Sequence, residues 1–592
     1  MSTAKVLSAA PSGALADCRA GEPIDVGRVR TTEAGEVYAG GEPEDSRRIQ
    51  RRRRATSTSP ASARKDAGVF AVPHRLRIFL DRFSVSLIEA AIASVAVWLH
   101  IRSLPSLPRG FYKDEISIAY NAHLIATTGR DEFGVSWPMY IESFGDTKNA
   151  GYVYLSALVT RLFGLTLWTV RMPSLLCWLL GTLLFYLLGR RLWPAAPARI
   201  FLLSLLAFTP SLFCMSRVGF EVIALYPALG LFLLGVWRGF EERSLRWAAL
   251  AGVGIGAATY MYTTFRMLAP LHCLLVLSCY PRREYLKLHA VFAAAAALTV
   301  IPFAIYFHSH YEQLTMRYRE IGYLHEAIPL RDKFDQFVAR YSDYFSVKYL
   351  LLEGDPNPRH HTGFGGELYL PLLLFMLVGT AAILLSPRVR KLRWNRLLLG
   401  GVVLAPIAAA LTKTGSHSLQ SFSLVLFAIL LATTGLQYAA DSVPRLSGKW
   451  AVGARVSVWL VVAWTLFDAA AFVRHYFGPY KEISIAAFEY YGQRQAIEKA
   501  IRSNASRILL DHRRRGRHAE LLAPFYRHIL EQRLRRALPP IEPGMPKDLR
   551  PGEFLIYQDR KDLFRDLRDG MPPGALYLAV PYDVIKRPRR LP

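Results

Sequence analysis

Cysteine is scarce in this chain: five residues (Cys18, Cys177, Cys214, Cys273 and Cys279) in 592, none in a CxxC pair. No histidine stands at zinc-finger spacing from them, so neither a disulfide framework nor a thiolate metal site is expected. Acidic residues are also short, 46 against 73 lysines and arginines, which leaves a formal net charge of +27. Nothing before residue 80 has the apolar core of a signal peptide, so the first apolar span is expected to stay uncleaved. The N-terminal segment lacks apolar periodicity and cannot bury a core, and residues 1–78 are assigned to a disordered basic tail. Its run Arg47-Arg48-Ile49-Gln50-Arg51-Arg52-Arg53-Arg54 reads as a cytoplasmic anchor for the first span rather than an RNA-binding arm.

Apolar residues are what the chain has in excess, at 52%. They fall in blocks near the ~20 residues a helix needs to cross a ~30 Å hydrocarbon core. Candidate spans are 84–102, 173–190, 200–216, 221–237, 246–263, 266–280, 288–307, 367–386, 397–412, 417–437 and 453–473. A further stretch, 150–166, is interrupted by Arg161 and two glycines. If it lies on the surface, the short loops on the N-terminal side carry seventeen basic residues and those opposite carry three: Arg217, Arg266 and Lys413. If it crosses, the ratio inverts. The positive-inside bias therefore selects about eleven spans (11–13), with the N-terminus cytoplasmic. The excess charge thus belongs to topology and anionic headgroups, and no nucleic-acid partner is implied.

The expected architecture is an all-α polytopic membrane domain, 79–474, followed by a small extracytoplasmic α/β domain, 475–592. In the latter, 508–511, 554–559 and 575–581 read as strands, while 484–502 and 518–537 have helical periodicity. That domain and two large loops, 103–172 and 308–366, fall on the outer face. The first loop holds a helical segment, 115–127, and the adjacent carboxylates Asp114 and Glu115, the only acidic pair directly following a span on that face. Acidic residues at a helix start also serve its dipole, so the pair has an ordinary structural use. Glu221, just inside its span, is costly unless paired, and Arg217 four residues earlier is its expected salt-bridge partner.

Around these residues the motifs follow a characteristic order. Asp114-Glu115 is followed by Tyr120, Gly129, Asp131 and Gly134, then Gly151-Tyr152-Val153-Tyr154 and Arg171-Met172-Pro173-Ser174. Next come Ser216-Arg217-Val218-Gly219-Phe220-Glu221, Tyr260-Met261-Tyr262 with Arg266, Glu353-Gly354-Asp355-Pro356-Asn357-Pro358-Arg359-His360, and His475-Tyr476-Phe477 with Tyr480. Over about 80–500 this resembles the bacterial branch of glycosyltransferase family 39 and the dolichyl-phosphate-mannose protein mannosyltransferases, which have the GT-C membrane fold.

The resemblance implies an inverting transferase of a bacterial inner membrane. Its donor is a polyprenyl-phosphate-linked sugar, hexose or pentose, and its acceptor an envelope lipid, glycan or protein. Asp114 is then the general base that deprotonates the acceptor hydroxyl, with Glu115 assisting, orienting the acceptor or capping the helix. Arg217, Arg266, Arg359, His360 and His417 are the candidates for the donor phosphate, although Arg217 and Arg266 also suit headgroup snorkelling. Tyr120, Glu221, Tyr260, Tyr262 and Asp355 are assigned to the acceptor and sugar pocket. No cofactor is indicated: His360-His361 admit a divalent metal, but adjacent histidines rarely aim at one ion. The chain departs from the family pattern at Gln420, where an arginine is expected, and it lacks a β-trefoil insertion. Two other classes compete: a polytopic transporter or lipid-linked-sugar flippase, and an envelope scaffold. No internal repeat of the transporter kind is evident.

Overall fold

Proline decides where several of the apolar blocks break into separate helices. In the computed structural model, residues 74–143, 146–488, 491–511, 518–535, 537–544, 550, 553–558 and 576–580 are described. The tail as far as residue 73, including the arginine run, lies outside them. All eleven candidate spans are helical for most of their length. The block 200–216 forms Ala196–Phe208 and Pro210–Met215, because Pro210 has no N–H to donate and holds Thr209 extended at ψ 130°. Pro406 likewise separates Arg393–Leu404 from Ile407–Ala410. Among the described residues, six stretches are long and apolar enough to cross a membrane: Ser84–Ile101, Met172–Leu192, Glu221–Glu241, Arg283–Ser309, Phe422–Arg445 and Gly448–Phe477.

Helix Phe422–Ser442 is the centre of the bundle, buried from Phe422 through Gln437 and packed against Leu370–Leu385, Ala196–Phe208 and Arg393–Leu404. The peripheral helices instead turn large apolar side chains outward, including Leu298 at 71% exposure and Phe467 at 71%. Such faces suit lipid rather than water. Helix Leu245–Met261 approaches its neighbours through glycine: a Cβ on Gly252 would stand 2.3 Å from the Phe292 carbonyl oxygen.

The loop between the first two candidate spans supplies helix Lys113–Thr128, a hairpin of Tyr140–Ser143 antiparallel to Asp146–Asn149, and helix Ala150–Phe163 packed along the first. Towards the C-terminus a parallel sheet has Ile508–Asp511 between Ile541–Gly544 and Phe554–Gln558, with Leu576–Val580 outermost beside Phe554–Gln558. Helices Tyr491–Arg502 and His518–Leu534 accompany it. The boundary expected at residue 475 falls inside a helix. Gly448–Phe477 continues past it, and Tyr476, Tyr480 and Phe488 are buried in the core of the helical bundle. A second core joins Phe111, Ile116 and Ala119 to Leu522, Phe525 and Ile529 of the C-terminal part. Helix Lys113–Thr128 is therefore held on two sides, since its Ile118, Ala122 and Ile125 belong to the main core.

Candidate active site

Helix Lys113–Thr128 starts on Glu115, whose Oε2 accepts the Tyr112 amide at 3.0 Å, the reciprocal arm of a capping box. Glu115 is wholly buried. Its Oε1 accepts Nε of Arg171 at 2.8 Å and the Gly219 amide at 2.9 Å. Arg171, also wholly buried, donates onward to the carbonyls of Pro108 at 2.9 Å and Gly110 at 2.6 Å. A buried pair of this kind survives only when its lone pairs and protons are spoken for, as they are here. The result is a fixed helix entry, and Asp114, one residue earlier, points elsewhere.

Asp114 faces a cavity of about 700 Å³ lined also by Tyr112, Lys148, Glu221, Tyr262, Arg266, Arg359, His360 and His417. Its Oδ1 lies 3.0 Å from Nζ of Lys148, with the lysine side chain 7% exposed and the aspartate 29%. Lys148 comes from the hairpin, opposite Ile141. Arg266 donates to the Tyr140 hydroxyl at 2.7 Å and to Oδ1 of Asn149 at 2.6 Å. Asn149 in turn holds Glu221, donating from its amide at 2.8 Å and from Nδ2 at 2.6 Å. Arg359 lies 4.1 Å from the Tyr112 ring centre, its Nε donating to Oδ1 of Asn357. The second large loop closes one wall with Leu314, Arg317, Tyr318 and Glu320. A carboxylate placed among several cations is equipped to move a proton next to a bound anion.

Behind the cavity, Asp355 gathers the loop that carries Arg359. Its Oδ2 accepts Nδ1 of His360 at 2.9 Å and the Ser418 amide at 2.9 Å, and its Oδ1 accepts the Asn357 amide at 2.8 Å. Burial alone would raise this carboxyl. The hydrogen bond and charge of His360, the neighbouring His417 and the Ser418 amide outweigh that and hold it at about 2. Gly354 precedes it at φ +66°, where a Cβ would meet the His361 ring at 2.9 Å, so the turn requires glycine. His361 turns away from His360, Nε2 donating to the Gly366 carbonyl and Nδ1 accepting the Gly363 amide.

Of the residues singled out from the sequence, Asp114, Glu221, Tyr262, Arg266, Arg359, His360 and His417 line the cavity, with Asp355 directly beneath. Four lie elsewhere. Glu115 serves the helix start. Tyr120 packs against the second core, and the Tyr260 hydroxyl links the Thr299 carbonyl to the Phe303 amide. Arg217 has no solvent exposure and neither snorkels nor reaches the cavity. It donates to the carbonyls of Leu99, His100 and Arg102 at 2.7, 2.5 and 2.6 Å, and to the Tyr476 hydroxyl at 3.1 Å. It thereby caps the end of helix His74–Ile101. The expected Arg217–Glu221 bridge does not form, because the chain between them is not helical and Glu221 is taken by Asn149. Lys148, Tyr140 and Arg317 were not singled out. They sit in the two long loops, which a count of short-loop charges passes over.

Residues 150–306 match the family model described as dolichyl-phosphate-mannose-protein mannosyltransferase. The resemblance read from the motifs therefore stands over that segment, which contains Arg217, Glu221, Tyr260, Tyr262 and Arg266. Asp114, Lys148, Asp355, Arg359, His360 and His417 lie outside it. No curated protein matches the chain by sequence. Among solved structures, apo ArnT from Cupriavidus metallidurans is 16% identical at a TM-score of 0.47, covering 83% of this chain and 88% of that one. The same protein bound to undecaprenyl phosphate is 16% identical at 0.46, covering 83% and 89%. The apo oligosaccharyltransferase of Archaeoglobus fulgidus is 15% identical at 0.43, covering 84% of this chain and 65% of that one.

Proposed function

We propose that the chain is a membrane glycosyltransferase of the GT-C type, taking a sugar from a polyprenyl-phosphate donor and passing it to an envelope lipid, glycan or protein. One observation carries this reading: Asp114 opens into the same cavity as Lys148, Arg266 and Arg359. The mannosyltransferase-family match over 150–306 supports the reaction class. The acceptor hydroxyl gives its proton to Asp114 as its oxygen bonds to the anomeric carbon. The bond from that carbon to the phosphate oxygen breaks, and the polyprenyl phosphate leaves with the electron pair. Attack opposite the leaving group inverts the anomeric centre. Negative charge grows on the phosphate as the bond breaks, and fixed cations stabilise it at that moment. Lys148, 3.0 Å from Asp114, and Arg266, held to the same hairpin through Asn149, are assigned this task together with Arg359 of the cavity lining. Glu221, held rigidly by Asn149, and Tyr262 are assigned to sugar or acceptor hydroxyls.

The test is mass spectrometry of envelope lipids, glycans and proteins from cells carrying the intact chain or its Asp114→Asn variant. A glycan present with the first and absent with the second identifies donor sugar and acceptor together. Unchanged product in the variant sinks the assignment of Asp114.

A further inference from the structure

Two histidines and a carboxylate converge at the floor of the cavity from segments about sixty residues apart. His360 Nδ1 stands 2.9 Å from Asp355 Oδ2, and His417 Nδ1 stands 3.8 Å from the same oxygen. The two rings lie 4.6 Å apart between centres, tilted by 45°. One donor atom from each residue falls within 4.8 Å of the others. His417 Nδ1 is sealed from solvent and has no hydrogen-bond partner among the described residues. A buried ring nitrogen aimed at a shared carboxylate, without a hydrogen bond, is costly as it stands.

We infer that Asp355, His360 and His417 form a binding site for one divalent transition-metal ion of the zinc class. Bonds of ~2.0–2.2 Å in a tetrahedron place neighbouring donors roughly 3.3 Å apart. The carboxylate oxygen's separations of 2.9 and 3.8 Å straddle that value, and with all three donor atoms within 4.8 Å of one another, side-chain rotation that draws the two rings together closes the site. The ion replaces the proton now shared by His360 and Asp355 and gives His417 Nδ1 the partner it lacks. Two imidazoles and one carboxylate favour zinc over magnesium or calcium, which prefer all-oxygen shells. The outer supports are built: the Asn357 and Ser418 amides orient the carboxylate, and the Ser418 hydroxyl donates to Glu367. Three protein ligands leave a fourth position open. His360 and His417 both line the cavity, so that position faces it, beside Arg359. A phosphate or hydroxyl oxygen entering the cavity completes the shell. The neighbouring pair His360-His361 is not the site, since both nitrogens of His361 are bonded within its own loop.

The inference concerns metal binding and stands or falls apart from the transfer reaction. The full chain, purified in detergent on a histidine-free tag and stripped with chelator, is titrated with Co²⁺ and then Zn²⁺. One equivalent of Co²⁺ is expected to give the intense visible bands of a four-coordinate ion, displaced by one equivalent of Zn²⁺. His417→Ala is expected to weaken binding on the order of 100-fold or more, while His308→Ala, an exposed control, leaves it unchanged. Absence of the visible bands in the wild-type protein overturns the proposal whatever the variants do. Full-strength binding by His417→Ala overturns it equally. Should that variant fail to fold, the wild-type spectrum and zinc stoichiometry decide alone.

Discussion

Asp114 and Glu115 are neighbours in sequence, and the structure gives them separable tasks that substitution can pull apart. Glu115 is wholly buried, accepts two backbone amides and is paired with the equally buried Arg171. Glu115→Gln leaves that guanidinium without its counter-charge and one of the two amides without a partner. Removing one member of a buried pair costs about 3–5 kcal/mol. Asp114 is partly exposed, and in Asp114→Asn the amide oxygen still accepts from Lys148. The loss there is an ion pair reduced to a hydrogen bond from the ammonium to an uncharged oxygen, on the order of 1 kcal/mol. Transfer, by contrast, loses its general base and is expected to fall ~10²–10⁴-fold. Thermal unfolding of detergent-solubilised protein, followed by size-exclusion chromatography, ranks the three chains. Product analysis of the same preparations gives activity. The expected order is wild type and Asp114→Asn close together, with Glu115→Gln well below. Equal destabilisation by both substitutions, or a stable Glu115→Gln beside a fully active Asp114→Asn, refutes the assignment.

Lys148→Met removes a cation that stabilises the departing phosphate and is expected to lower kcat about tenfold, the value of one charge-assisted hydrogen bond strengthened as the charge develops. Varying donor at saturating acceptor checks this. Arg217→Met strips three carbonyls of their shared donor and is expected to cost about 3 kcal/mol or more of stability. Its signature is reduced yield and melting temperature, with donor KM unchanged in the protein that survives. Side-chain exposure is 90% at Arg331 and 70% at Arg282, which suits both for labelling. Arg331→Cys is expected to react with a membrane-impermeant maleimide in intact cells and Arg282→Cys only after permeabilisation. The reverse pattern inverts the topology.

Much of the helical framework was legible because hydrophobic blocks of spanning length are a strong one-dimensional signal. The helix expected at 115–127 runs over Lys113–Thr128, and the stretch 150–166 contains Ala150–Phe163. The strand Ile541–Gly544 was missed because half of it is proline and glycine, which read as a turn. Asp114, Arg266 and the 353–360 motif were found from position and order. Lys148 was not, because nothing in a long polar loop distinguishes one lysine until the hairpin brings it beside Asp114. Arg217 shows the opposite failure. An unexplained arginine near a span end reads as an anion ligand, yet here it satisfies helix carbonyls supplied by residues more than a hundred positions earlier. The Asp355–His417 approach is equally invisible in sequence, since adjacency drew attention to His361 instead.

The helix bearing Asp114 rests on residues made far apart in synthesis: Phe111 meets Phe525 edge-on, ring centres 6.4 Å apart. Chains emerge N-terminus first and fold in that order. During biogenesis the spans can therefore be in place while Ile116 and Ala119 still wait, bare, for their last neighbours. The wall of the cavity that carries Asp114 is completed only once Leu522, Phe525 and Ile529 have been made. A chain interrupted before Leu522 holds the helix of Asp114 from the main core alone, which ties the geometry of the cavity wall to a segment about four hundred residues further along.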